Sequence, residues 1–101
     1  MTQALHIERV DAGHVRVAGR LGFAEAAAAL ARGDELSAGG SREVAIDASG
    51  LQQADSATLA LLLAWAAHAR ARGVALRFTH ASDGLRALAR LCDAEPLLGL
   101  A

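Results

Sequence analysis

Asp47, Asp55, Ser56, Cys92 and four histidines (His6, His14, His68, His80) are the side chains suited by type to chemistry. Asp47 and Asp55 could form a carboxylate pair for general acid–base work. Such a pair needs a nucleophile, a positioned base or an oxyanion device beside it, and none accompanies them. Turn and helix-capping roles account for both. The histidines are scattered without metal-ligand spacing, so surface positions are expected of them. Cys92 is the single cysteine, which excludes an internal disulfide and a redox pair. Its apolar helical neighbourhood predicts a small buried hydrophobe. Gly50 and Gly73 belong to no phosphate-cradling pattern. These residues predict no catalytic group, no metal site and no cofactor, hence not an enzyme.

Ser56 is different. Ile46-Asp47-Ala48-Ser49-Gly50-Leu51 reads as a buried strand and a tight turn, and Asp55-Ser56-Ala57-Thr58 as the start of a helix. Asp55 is the expected N-cap, which puts Ser56 on the exposed first turn. The first N–H groups of a helix lack partners, so an anion or a phosphate is favoured there. This suits docking or switching better than bond-breaking.

The elements that must position Ser56 follow from hydrophobic periodicity. Leu5–Val10 and His14–Gly19 alternate, with Asp11-Ala12-Gly13 as turn, and predict a hairpin with Val15 and Val17 inward. Leu21–Leu36 predicts an Ala-rich helix with Phe23, Ala27 and Leu30 at helical spacing. After the Gly39-Gly40-Ser41 loop, Glu43–Asp47 predicts a short strand. The Ser56–Arg72 helix is predicted to stop at Gly73, and Val74–Thr79 is a strand with Val74, Leu76 and Phe78 inward. Ser82 to Cys92 predicts a last helix with Leu85, Leu88, Ala89 and Cys92 buried, Arg86 and Arg90 on its exposed side, and a short closing segment follows Pro96. The order ββαβαβα predicts an α/β (α+β) fold, a mixed four- to five-stranded sheet with helices mainly on one face.

At 100° per residue, Leu59, Leu62, Leu63 and Ala66 share the sheet-facing side of the Ser56–Arg72 helix. Leu61 and Trp65 fall on the other side with Thr58, His68 and Arg72. An exposed Leu–Trp pair one turn apart would make an interface anchor; cover by a neighbouring helix is the alternative. On the interface reading, Trp65→Ala costs binding more than folding.

Composition sets the outer bounds. The 101 residues suit one domain, 53% of them are apolar, and the net charge is −1. No basic footprint or aromatic platform for nucleic acid is present. Met1–Val10 lacks the charge and apolar run of a secretory signal. The 57–69 stretch is too short to span a bilayer, so a cytoplasmic protein without direct membrane insertion is expected.

Asp47-Ala48-Ser49-Gly50, a spacer, Asp55-Ser56 and the Leu-rich helix together resemble the STAS domain, a family named for sulfate transporters and anti-sigma factor antagonists. The element order matches over nearly the whole chain. Leu59–Trp65, Leu76-Arg77-Phe78 and Leu85–Leu91 look most like the branch formed by B subunits of lipid-asymmetry maintenance (Mla) transporters. That resemblance implies a non-enzymatic accessory protein, held at the inner membrane through its complex, that binds the ATPase of a phospholipid ABC transporter. It places Ser56 at the partner surface, with Asp55, Thr58, Leu61 and Trp65 as the expected contacts around it. In anti-sigma factor antagonists the matching serine is phosphorylated, so the alternative partner is an anti-sigma serine kinase and the alternative role of Ser56 is a phospho-switch. The family usually has glycine two residues after the hydroxyl. Thr58 departs from this, and its branched side chain is expected to narrow a partner's approach.

Overall fold

The computed structural model describes residues 5–52 and 55–100. The readings of Met1–Ala4, of Gln53 and Ala54 in the spacer, and of Ala101 lie outside them. Strand β1 (His6–Asp11) pairs antiparallel with β2 (His14–Gly19), and Ile7 faces Val17 across the hairpin. Parallel pairing follows from β2 to β3 (Glu43–Leu51) and from β3 to β4 (Ala75–Thr79). The four described strands therefore lie in chain order.

Alternation decides which face is covered. Val15 and Val17 of β2, Val44, Ile46 and Ala48 of β3, and Leu76 and Phe78 of β4 are all buried. Their neighbours His14, Arg16, Glu43 and Arg77 are exposed. A parallel strand pair usually has both faces covered; this small mixed sheet is covered on one. On the open face, Glu8, Arg16 and Asp47 stand in register across three strands. Arg16 Nη1 lies 3.2 Å from Glu8 and its Nε 3.8 Å from Asp47, which keeps opposite charges adjacent in the row.

β3 is longer than the Glu43–Asp47 segment expected. Ala48, Ser49 and Gly50 continue it rather than turning, with a register shift opposite Arg16–Ala18. Gly50 makes this possible by close approach: a Cβ there would sit 2.7 Å from the Ala18 Cβ and 3.0 Å from the Val17 carbonyl.

The expected Leu21–Leu36 helix is broken. A 3₁₀ turn at Phe23–Glu25 leads into α1 (Ala26–Ala31), and Arg32-Gly33 separates it from α2 (Asp34–Ser37). The break is a packing solution. A Cβ on Gly33 would lie 2.9 Å from the Trp65 indole, so the glycine leaves room for the ring. Helix α3 (Ser56–Ala71) is bounded much as predicted, with Asp55 as N-cap, Arg72 as C-cap and Gly73 at φ +80°. In α4 (Asp83–Leu91), Ser82 Oγ accepts the Leu85 N–H at 3.1 Å. The closing segment forms α5 (Glu95–Leu98), and it buries Leu98 and Leu100 in the core. Cys92 departs from expectation: it caps α4 and is exposed, because the buried stripe of α4 ends at Ala89. No helix among the described residues is long and apolar enough to cross a membrane.

Candidate functional site

The Asp55–Thr58 corner is a reciprocal cap. Asp55 Oδ1 accepts the Thr58 N–H at 2.9 Å, and the Asp55 N–H donates to Thr58 Oγ1 at 3.3 Å. This satisfies donors that a helix start otherwise leaves without partners. Ser56, next in sequence, is exposed. Asp55 is half-buried beside it.

Thr58, expected as a partner contact, is not at the surface of the protein. It is fully buried, and its hydroxyl donates to the Leu21 carbonyl at 3.0 Å. The residue that departs from the family pattern thus ties the start of α3 to the chain entering the 3₁₀ turn. It does not narrow access to Ser56 from outside.

The expected exposure of Leu61 and Trp65 is also corrected, although Leu61 still lines the groove described below. Leu61 is 4% exposed and Trp65 1%. The indole Nε1 donates to the Ala29 carbonyl of α1 at 3.0 Å, a carbonyl that also accepts the Arg32 N–H at the end of that helix. α3 is therefore buried on two sides, by the sheet through Leu59, Leu62 and Ala66 and by α1 through Leu61 and Trp65. The near-continuous apolar run from Leu59 to Ala66 is the sequence signal of a helix covered on more than one side.

What α1 leaves open is a groove. One wall is Phe23, Ala26, Ala27 and Leu30; the other is Ala57, Ala60, Leu61 and Ala64 of α3, and together they enclose about 390 Å³. Phe23 is 90% exposed and Leu30 51%. No lining residue is charged. Ala57 follows Ser56 directly and Ala60 lies one turn on, so the apolar groove runs up to the exposed hydroxyl. The Phe23, Ala27, Leu30 spacing was visible in the sequence. Its direction was not, because Leu21, Ala29 and Leu36 supply the buried positions of that segment instead.

Asp47 accepts the Ser49 N–H at 2.9 Å, which, with His80 and Arg16 nearby, holds its carboxyl below the ordinary range. All four histidines are exposed. His14 pairs with Asp11 at 2.8 Å and His68 with Asp34 at 2.6 Å. Among the described residues no three His, Cys, Asp or Glu side chains group as a metal site.

Residues 6–99 match the family model described as "Mlab, STAS domain". The chain belongs to this STAS family. No curated protein matches it significantly. Within the STAS fold, the Ser56 corner and the groove between α1 and α3 occupy one continuous surface, with Thr58 and Trp65 beneath it as its support.

Proposed function

We propose that this chain is a non-enzymatic cytoplasmic accessory subunit that docks on the ATPase of a phospholipid-transport ABC transporter. The observation that carries the reading is the uncharged groove opening beside Ser56. A large exposed aromatic over an alanine-lined trough has the composition of an interface core, where charge is depleted and aromatics anchor. The match to an Mlab-type STAS model supports the choice of partner. Ser56 contributes the polar edge of the contact, and Phe23 and Leu30 the apolar part.

The mechanism requires no bond-making. A subunit that binds one state of an ATPase more tightly than another shifts its population by that difference in affinity. The complex would hold the chain at the inner membrane without insertion of its own.

Purification of the tagged protein from its own cells, with mass spectrometry of its partners and of the Ser56 peptide, tests this. Recovery of an ABC ATPase and its membrane subunits with Ser56 unmodified is the expected result. Recovery of a serine kinase, with a phosphorylated Ser56 fraction that no longer binds it, overturns the reading in favour of the anti-sigma switch. There the phosphate would place charge at the edge of an apolar contact.

A further inference from the structure

We infer that the buried Thr58 hydroxyl is the positioning group of the docking surface: it couples the Ser56 corner to the Phe23 turn, so that polar edge and apolar wall reach a partner already aligned. The effect on partner affinity rests on the docking reading above; the coupling itself does not. Two small turns flank the hydroxyl. One is the start of α3, where Asp55 and Thr58 cap each other around Ser56. The other is the 3₁₀ turn that carries Phe23. There the Gly22 N–H donates to the Glu25 carboxylate at 3.2 Å, and the Glu25 N–H to the Gly22 carbonyl at 3.1 Å.

Thr58 joins the two. Its Oγ1 accepts the Asp55 N–H at 3.3 Å and donates to the Leu21 carbonyl at 3.0 Å, one residue before Gly22. Both ends of this bridge are dry, since Thr58 and Leu21 are each 0% exposed. A buried carbonyl deprived of a donor is costly unless it moves to find water, and a shift of Leu21 carries the Phe23 turn with it. Farther along the groove, the Trp65–Ala29 hydrogen bond pins α1 to α3. Thr58 therefore holds the near end, where Ser56 and Phe23 stand. A surface kept in its bound arrangement avoids the ordering cost that association otherwise carries. Thr58 thus sets affinity without touching the partner.

Amide hydrogen exchange of the free chain, with affinity for the ATPase subunit, tests this on Thr58→Val and Thr58→Ser. In Thr58→Val, exchange at Gly22, Glu25 and Asp55 should quicken at least about tenfold beyond any change in β4, which reports global stability. Thr58→Ser keeps the hydroxyl and should match the wild type in both measurements. Affinity of Thr58→Val should fall about fivefold to tenfold. The further loss on Phe23→Ser should be smaller in that background than in the wild type, the non-additivity of coupled positions. Thr58→Ala carries the same comparisons if valine at this site prevents folding. Exchange that quickens equally in β4 overturns the inference, because it marks stability alone. So does a Thr58→Ser chain as impaired as Thr58→Val, or a Thr58→Val chain that keeps wild-type affinity. A wild-type chain that does not bind the ATPase overturns the docking reading instead, and the exchange comparison still decides the coupling.

Discussion

Trp65 makes two contributions that substitution separates. Its ring fills the space left by Gly33, and its N–H satisfies the Ala29 carbonyl. Trp65→Ala should destabilise the fold by about 3–5 kcal/mol, read from urea denaturation. Trp65→Phe keeps much of the volume and removes the hydrogen bond. The Ala29 carbonyl keeps the Arg32 N–H at 3.1 Å, so the lost indole hydrogen bond should cost only about 0.5–1.5 kcal/mol. Thr58→Val poses the same question at the other end of the groove. It keeps the shape and removes the donor to Leu21 and the acceptor for Asp55 N–H, so a loss of about 1–3 kcal/mol is expected. If either variant loses partner affinity while retaining full stability, its side chain faces the partner after all. Ser56 was legible as exposed because Asp55 announces the cap. Thr58, Leu61 and Trp65 were not legible as buried, because helical periodicity states which residues share a side but not how many sides are covered.

At the scale of elements, α2 is a single turn tied down by side chains. Arg9 Nη2 donates to the Glu35 and Leu36 carbonyls at 2.7 and 3.1 Å. Asp34 meets His68 at 2.6 Å and Arg72 at 3.2 Å, clasping α2 to α3. The hydrogen bond to His68, reinforced by Arg72, lowers the Asp34 carboxyl below its ordinary range. A carboxylate depressed in the folded state stabilises above its unfolded value, near pH 4, and that contribution is lost as pH falls through the folded value. Asp34→Asn should therefore flatten the acid limb of the stability–pH curve while leaving its shape above neutrality little changed. An unaltered acid limb would show that the clasp contributes nothing there. In β3, Gly50→Ala forces a Cβ against Ala18 and the Val17 carbonyl and should cost about 1–3 kcal/mol. The hairpin, β4 and the limits of α3 and α4 were legible from alternation and caps. The break at Arg32-Gly33 was not, since the alanine run before it favours helix and it is the distant Trp65 ring that explains the interruption.

At the scale of the molecule, one side of the sheet carries the core and the helices. α1 and α3 share a surface that is buried at its base and open at its rim. The division of labour is clear: Trp65 and Thr58 hold α1 and the entry to α3 in place, and Phe23, Leu30 and Ser56 remain outside. On the proposed reading this arrangement serves docking, in which a rigid scaffold presents a small apolar face. The STAS family is shown by the match over residues 6–99; the partner is the proposal made above, and the groove is where it would dock. The most direct measurement is the affinity of the ATPase subunit of the lipid-transport complex for the wild-type chain and for Phe23→Ser, with urea unfolding of both. Loss of about 2 kcal/mol or more of binding, as for an interface anchor, with unchanged stability is the predicted result. Wild-type affinity in the Phe23→Ser chain would contradict docking through the groove between α1 and α3.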